Sequence, residues 1–282
     1  MTRAIDRLDE PQTVTVGGLA ALVAGPADGA AVLMLPGFTG SKEDFVPILP
    51  LLATAGLRAV AVDLRGQHES KGDPDGPDSQ FSLDGLASDV ALVAKELGGQ
   101  VHLVGHSFGG LVARATLLER PALLASVTFF GSGPAAIGGP RGLALRALYA
   151  LYAQGGLKAV WDGTRAIDPA VRSAEEVEFL RRRFFGSSER GMLVMAQTLL
   201  DETDRVAEAA AVAAAHGIPL LVTHGVDDDA WLPTQQADMA VRLGARHAAI
   251  PAAMHSPAVQ NPTGTADVLV AFIRAAETEA AA

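Results

Sequence analysis

Short apolar runs alternate with amphipathic helical patterns along the first half of this chain, and no other feature constrains its fold as strongly. The runs are Ala31–Leu35, Leu57–Leu64, Val101–Val104 and Ala125–Phe130. A strand buried on both faces of a sheet is continuously apolar, whereas a strand with one wet face alternates. The pattern therefore predicts an α/β fold built on a mainly parallel, doubly wound sheet.

The alternation stops in the middle of the chain. From Pro134 to His216 the apolar residues recur at helical spacing, and we expect no strand there. The predicted helices are Leu143–Val160, Glu175–Phe185, Met192–Leu200 and Val206–Ala215. Strand and helix patterns resume at Pro219–Val222. The sequence therefore predicts one α/β core, residues 1–133 and 217–282, interrupted by an inserted helical cap, residues 134–216.

Composition limits the possible functions. Hydrophobic residues make up 49% of the 282 positions, which is enough for a large core. The net charge of −10 disfavours binding to nucleic acid or anionic lipid, and the lack of cysteine excludes disulfides and thiolate chemistry. The N-terminal sequence MTRAIDRLDEP has no apolar signal core, and no apolar run reaches the roughly 18 residues of a membrane span. We expect a soluble, cytoplasmic protein without a membrane span.

The strongest local signal is Gly105-His106-Ser107-Phe108-Gly109-Gly110, between a predicted buried strand and an amphipathic helix. A serine between two such glycines, in that context, lies on a sharp turn that exposes its hydroxyl at the carboxyl edge of the sheet. The amides at the start of the following helix point to where negative charge would develop. The alternative is a glycine-rich turn with an incidental serine. The flanking strand and helix favour Ser107 as a nucleophile.

Two further segments extend this pattern. Leu35-Pro36-Gly37-Phe38 ends the first buried run, and Asp63-Leu64-Arg65-Gly66 follows the second, with Ser70 four residues on. Together with the serine motif they resemble the α/β-hydrolase superfamily, in its branch with a serine nucleophile and a helical cap. The resemblance covers nearly the whole chain and implies the α/β-hydrolase fold. The chain departs from the superfamily pattern at His68, which stands where a second glycine is usual.

In that superfamily an acid follows the serine along the chain, and a histidine follows the acid. The strand predicted at Pro219–Thr223 leads into Gly225 and three consecutive aspartates, 227–229. Asp228 has the spacing from the glycine that the resemblance implies. Asp229 and Asp227 remain alternatives, because the three carboxylates are adjacent in the sequence.

Two histidines follow the aspartates. His247 begins a short predicted strand, and we expect a structural role for it. His255 lies in a loop after the last predicted strand and resembles the histidine loop of the superfamily, which implies that it is the general base. His106, beside the serine, is expected to pack beneath the turn.

The resemblance implies a mechanism that needs no cofactor and no metal. His255 takes the proton of Ser107 as the hydroxyl attacks an acyl carbonyl, and the amides of Phe38 and Phe108 hold the oxyanion. The expected reaction is hydrolysis of a carboxylic ester, thioester or lactone through an acyl-enzyme. The alternatives are an acyltransferase, C–C hydrolase, perhydrolase or peptidase on the same triad, and a binding protein of the same fold with little turnover. Epoxide hydrolases and dehalogenases of the superfamily use an aspartate nucleophile, so Ser107 argues against both.

The predicted cap supplies apolar side chains to the substrate site. Ligands of open α/β sheets bind at the carboxyl edge, so a cap over that edge covers Ser107. The residues expected to line the pocket recur at helical spacing and are Met192, Met195 and Leu199. We expect no cation near the serine apart from Arg114, and we interpret Arg181–Arg183 as a solvated helix face. The expected substrate is a neutral acyl compound of small to medium size.

Overall fold

One sheet of eight strands forms the centre of the computed structural model, which describes residues 8–167 and 171–281. The strands are β1 Leu8–Val16, β2 Leu19–Gly25, β3 Ala31–Leu35, β4 Arg58–Val62, β5 Val101–His106, β6 Leu124–Phe130, β7 Leu220–Gly225 and β8 Arg246–Ile250. Their spatial order is β1-β2-β4-β3-β5-β6-β7-β8. Only β2 pairs antiparallel with its neighbours, β1 and β4, and the other adjacent strands are parallel. The predicted α/β fold is confirmed. Most of the N-terminal segment that was inspected for a signal sequence, residues 1–7, lies outside the described ranges.

Helices cover both faces of this sheet. They are α1 Leu49–Thr54, α2 Leu83–Glu96, α3 Phe108–Glu119, α4 Gly139–Ile167, α5 Ala174–Gly186, α6 Glu189–Asp201, α7 Val206–His216, α8 Pro233–Leu243, α9 Pro257–Gln260 and α10 Pro262–Ala280. In β3, Leu33 and Leu35 pack into the layer that contains α2, α3, α7 and α8, whereas Val32 and Met34 pack into the layer that contains α1 and α10. Strand β3 is apolar throughout because both of its faces are buried. Among the helices described, none is long and apolar enough to cross a bilayer.

Four helices, α4 to α7, lie between β6 and β7, and we call residues 134–216 the inserted segment. Helix α4 is interrupted at Gly155 and Gly156, where Gly156 has φ 62° and ψ −156°, a conformation that glycine adopts at little cost. Serine side chains cap the starts of α5 and α6: the Ser173 hydroxyl accepts from the Glu176 amide, and the Ser188 hydroxyl accepts from the Gly191 amide. Helix α7 packs against α3 and α8, beside the sheet.

The parallel strands bring distant parts of the sequence to one edge. Strands β3, β5, β7 and β8 run in the same direction, so the residues that follow them meet at their carboxyl ends. Those residues include Gly37 after β3, Ser107 after β5, Asp228 after β7 and His255 after β8. This is the edge at which open α/β sheets bind ligands.

Candidate active site

Ser107 occupies a strained turn between β5 and α3. Its backbone has φ 54° and ψ −116°, and its amide donates to the carbonyl of Phe130 at 2.9 Å. A Cβ on Gly105 would lie 2.3 Å from the carbonyl oxygen of Gly109, and a Cβ on Gly109 would lie 2.5 Å from that of Leu35. Glycine is therefore required on both sides of the serine, because strand and helix approach each other too closely for a side chain.

Ser107, His255 and Asp228 form a continuous hydrogen-bonded chain. Nε2 of His255 lies 3.0 Å from the Ser107 Oγ, and Nδ1 of His255 lies 3.0 Å from Oδ1 of Asp228. A carboxylate only accepts, so Nδ1 carries the proton and Nε2 is left to accept from the Ser107 hydroxyl. This arrangement can remove a proton from the serine and stabilise the imidazolium that forms.

The other aspartates and the other histidine considered for the site are not hydrogen-bonded to Ser107 or His255. Asp227 is exposed, and Asp229 pairs with Arg141 at 2.9 Å. His247 contacts His224, with 2.9 Å between their Nε2 atoms. Of the three adjacent aspartates, only Asp228 is buried and faces His255.

Asp228 has two further donors, neither of which the sequence analysis predicted. The Ala230 amide donates to Oδ1 at 2.9 Å, and Nε2 of the fully buried Gln236 donates to Oδ2 at 3.0 Å. Burial alone would raise the pKa of Asp228, but the hydrogen bond and charge of His255, together with these two donors, hold that pKa below its usual value. The sequence signal for the contact between Gln236 and Asp228 is a polar residue on the apolar face of α8, three residues before the buried Met239.

His106 holds His255 from a different direction. Its Nε2 lies 2.7 Å from the backbone carbonyl of His255, and because a carbonyl only accepts, Nε2 carries the proton. The two rings lie against each other with centroids 5.0 Å apart. Burial, with a further contribution from His255, lowers the pKa of His106 to about 4. His106 is therefore neutral near pH 7.

The loop after β3 lies directly against Ser107. A Cβ on Gly37 would lie 3.2 Å from the Ser107 Cβ. The side chain of Gln67 donates to the carbonyls of Gly37 at 2.7 Å and Phe38 at 3.2 Å, while its own carbonyl accepts from the Leu64 amide. The buried Gln67 therefore fixes the loop that carries Phe38 to the loop after β4. Phe108, the first residue of α3, follows Ser107 on the other side.

A cavity of about 560 Å³ opens onto Ser107 and His255. This volume lies within the range of about 300–1,000 Å³ that is typical of small-molecule sites. Most of its wall comes from α4, α5 and α6 and is apolar. The principal side chains are Leu145, Leu148, Trp161, Phe184, Met192 and Leu199. Met192 and Leu199 are thus where the sequence predicts them.

A model of the alpha/beta hydrolase family matches residues 32–268 of this chain. The chain belongs to that family. The expected class of enzyme, a hydrolase of the α/β type, is confirmed with it.

Individual relatives resemble parts of this α/β hydrolase. A protein of Variovorax paradoxus named "Putative carbamate hydrolase RutD" is 40% identical over 106 residues, which are 37% of this chain and 39% of that protein. The chain thus spans about two fifths of this relative. A non-heme chloroperoxidase of Streptomyces lividans is 28% identical over 233 residues, 72% of this chain and 76% of the relative. A solved structure of an esterase from Exiguobacterium antarcticum shares the fold, with a TM-score of 0.72 at 21% identity over 93% of this chain and 99% of the other.

Two expectations about the pocket of this α/β hydrolase are corrected by the structure. Met195 does not line the cavity: it is fully buried in the core beneath, near Gly66, and Ala196 takes its place at the wall. The spacing of apolar residues along α6 is compatible with either Met195 or Ala196 at the cavity wall. The packing of α6 against the core buries Met195 and leaves Ala196 at the wall.

The second correction concerns cations. Four arginines line the cavity, namely Arg141, Arg165, Arg172 and Arg183. Arg183 is therefore not on a solvated face; it donates to Asp44 at 2.6 Å, whereas Arg181 is exposed and pairs with Glu178. Arg114 does face away from the serine, toward Glu202 at 2.8 Å. The sequence could not show that Arg183 is half-buried while Arg181 is exposed, because Asp44, the partner of Arg183, is far away along the chain.

Proposed function

We propose that this α/β hydrolase cleaves carboxylic esters, or the related thioesters and lactones, through a covalent acyl-enzyme on Ser107. The observation that carries the proposal is the hydrogen-bonded chain from Ser107 through His255 to Asp228, which opens onto an apolar cavity. A serine hydroxyl that is hydrogen-bonded to a base, itself oriented by a carboxylate, is the arrangement that nucleophilic acyl transfer requires.

In the first half of the reaction, Ser107 is the nucleophile and His255 the general base. Nε2 of His255 takes the hydroxyl proton as Oγ bonds to the acyl carbon, and Asp228 stabilises the imidazolium. The imidazolium then protonates the leaving oxygen as the bond between it and the acyl carbon breaks. In the second half His255 removes a proton from water as the water oxygen bonds to the acyl carbon. The bond between that carbon and Oγ then breaks, and the imidazolium returns the proton to Oγ, which releases the carboxylic acid and regenerates Ser107.

The amides of Phe38 and Phe108 are the proposed donors to the oxyanion. They lie on either side of Ser107, one in the loop fixed by Gln67 and the other at the start of α3. An oxyanion donor of this kind contributes roughly 3 kcal/mol to the transition state. Gln67 is then a positioning residue that acts through the loop.

The inserted segment, 134–216, is proposed to be a cap that determines the substrate. Helices α4, α5 and α6 supply most of the cavity wall, including Met192 and Leu199. The arginines at the wall already interact within the protein. Arg141 pairs with Asp229 and Arg183 with Asp44, and Arg165 and Arg172 also have interactions of their own. We therefore infer a neutral acyl group of small to medium size.

A relative supports cleavage at a carbonyl carbon. The protein named a carbamate hydrolase is 40% identical to this chain over 106 residues, and a carbamate, like an ester, is cleaved at an acyl carbon bonded to oxygen. The same acyl-enzyme could pass its acyl group to an acceptor other than water. Product analysis separates hydrolysis from this transfer, because only hydrolysis releases the free acid in the absence of an added acceptor.

The test is turnover of a panel of p-nitrophenyl esters and thioesters with neutral and anionic acyl groups. The wild-type protein should hydrolyse neutral short-chain esters best, and Ser107→Ala should lower kcat/KM at least about a thousandfold. Ser132→Ala is the matched control, because it removes a buried hydroxyl that has no hydrogen-bond partner among the described residues. Unchanged turnover in Ser107→Ala, or efficient turnover of anionic esters alone, would contradict the proposal.

A further inference from the structure

His68 has a backbone conformation that a non-glycine residue adopts only at a cost. Its φ is 36°, in the left-handed region, at the position where the superfamily pattern has glycine. The loop therefore keeps the conformation of a glycine while carrying an imidazole. The amide of His68 donates to the Ser187 hydroxyl at 3.0 Å, and its ring meets the edge of Phe179. A strained residue kept in this way indicates a role for its side chain.

Two carboxylates lie beside this imidazole. Glu43, His68 and Glu69 each offer one metal-ligating atom, and the three atoms lie within 4.8 Å of one another. Two of these residues also carry a buried polar atom without a hydrogen-bond partner, Oε2 of Glu43 and Nδ1 of His68. Buried polar atoms are almost always paired, so two unpaired ones in neighbouring residues favour a ligand bound between them.

The charges of the cluster also favour a cation. Nζ of the buried Lys42 lies 2.8 Å from Oε1 of Glu43, 3.0 Å from Oδ2 of Asp63 and 2.6 Å from Oε2 of Glu69. One ammonium group thus faces three carboxylates.

The lysine leaves room for a second cation. It takes one oxygen of Glu43 and one of Glu69, so the second oxygen of each carboxylate is left for another ligand. Carboxylates that bind a metal are commonly held by hydrogen bonds to their other oxygen in this way.

We propose that Glu43, His68 and Glu69 bind one divalent transition-metal ion of the Zn²⁺ type. One imidazole nitrogen and two carboxylates suit Zn²⁺ or Co²⁺, whereas Mg²⁺ and Ca²⁺ prefer oxygen ligands alone. A divalent ion also offsets the two negative charges that Lys42 leaves unbalanced. Water would complete the coordination on the side of Glu69, whose side chain is half exposed.

The position of this site indicates a structural role. The wall of the substrate cavity includes neither Glu43 nor His68 nor Glu69. The site lies instead where the core meets the inserted segment: His68 is bonded to Ser187, and the Ser188 amide donates to the carbonyl of Gly66 at 2.8 Å. A metal ion there would fasten the loop after β4 to the junction of α5 and α6. The inference does not depend on the proposed hydrolysis.

The test uses the full-length, untagged protein after treatment with a chelator. Isothermal titration with ZnCl₂ should show one equivalent bound, and Co²⁺ should give the visible absorption bands of a coordinated ion. Zn²⁺ should also raise the Tm, since a ligand that binds only the folded state stabilises it. His68→Gly is the sharpest variant, because glycine keeps the left-handed backbone and removes the imidazole. It should weaken Zn²⁺ binding at least tenfold and abolish the Tm shift.

Two other variants complete the design. Glu43→Gln should weaken Zn²⁺ binding in the same way. His247→Gln removes an imidazole that contacts His224 and is not part of the proposed site, and it should leave Zn²⁺ binding unchanged. The proposal is overturned if Zn²⁺ and Co²⁺ show no saturable binding to the wild-type protein. It is also overturned if His68→Gly and Glu43→Gln both bind Zn²⁺ as tightly as the wild type.

Discussion

At the residue scale, His255 is held by two different groups through two different atoms. Asp228 binds Nδ1 of the ring, and His106 binds the backbone carbonyl. Asp228 is in turn held by Gln236 and by the Ala230 amide. The orientation of the proposed general base therefore depends in part on Asp228 and Gln236, which do not line the cavity.

Gln236→Met tests this dependence. The substitution keeps the volume of the side chain but removes the donor to Oδ2 of Asp228, and a hydrogen bond to a charged group is worth about 1.5–3 kcal/mol. We expect kcat/KM for ester hydrolysis to fall about tenfold to a hundredfold, with KM little changed. The acid limb of the pH profile should move to higher pH, because Gln236 is one of the donors that hold the pKa of Asp228 below its usual value, and losing it raises that pKa.

The matched control for Gln236→Met is Gln197→Met. Gln197 also bonds to an aspartate, Asp201, but on an exposed face of α6. It should leave both the rate and the pH profile unchanged. If Gln236→Met gives the wild-type pH profile, Gln236 is not a positioning residue.

His106 should make stability depend on pH. The unfolded chain binds a proton near the ordinary histidine pKa of 6.5, whereas the folded protein resists protonation of His106 until about pH 4. The unfolded state therefore binds more protons between these values, and the free energy of unfolding falls as the pH is lowered from 6.5 to 4. The loss attributable to His106 is of order 3 kcal/mol.

Urea unfolding of the wild type and His106→Gln between pH 7 and pH 4.5 measures this contribution. The variant should show a smaller loss of stability over that interval. His102 and His247, whose pKa values are also lowered by burial, are present in both proteins and serve as an internal control. Equal pH dependence in the two proteins would show that His106 does not contribute.

The position of an individual site residue could be predicted from the sequence only where it belongs to a short local motif. Gly105 and Gly109 flank Ser107 at fixed spacing because strand and helix approach closely there, so the motif carries the geometry. The contacts of Gln236 and Arg183 have no such pattern, since each joins residues brought together by the fold. Among the three adjacent aspartates, the resemblance to the superfamily favoured Asp228, and burial then separated it from the other two.

At the element scale, the strands and inserted helices were predictable in kind and approximate extent. Continuous apolar runs such as β3 arise from burial on two faces, and helix starts such as that of α5 have a serine cap. Which face of an inserted helix meets the cavity was not predictable, because the helical repeat allows both Met195 and Ala196. Docking of the helix against the core decides between the two.

The contact between α5 and the core carries a prediction of its own. Arg183 and Asp44 are linked at 2.6 Å with side chains only 14% and 31% exposed, whereas Arg190 and Asp78 link α6 to the core with side chains 44% and 66% exposed. Coulomb attraction is screened less where water is excluded. A double-mutant cycle to alanine, read by urea unfolding, should give a coupling energy of about 1–2 kcal/mol for the first pair and under about 0.5 kcal/mol for the second. Equal coupling in the two pairs would contradict the expectation that burial strengthens the link between Arg183 and Asp44.

At the scale of the whole molecule, the topology of the sheet assembles the site. Residues 37, 107, 228 and 255 are distant in sequence and follow four strands that run in the same direction, so a single edge collects them. The inserted segment begins after β6 and returns at β7, and its helices α4, α5 and α6 supply most of the wall of the cavity at that same edge. This arrangement follows from the order of strands and helices, which the sequence pattern predicts, whereas the volume and charge of the cavity follow from packing.

The most direct test of the central claim is the reaction of the protein with a fluorophosphonate, which forms a covalent adduct with an activated serine. Intact mass should show one adduct, and peptide mapping should place it on Ser107. Labelling should be absent in Ser107→Ala, much slower in His255→Gln, and unchanged in Ser132→Ala. An adduct on another residue, or efficient ester turnover without any labelling of Ser107, would contradict the proposed nucleophile.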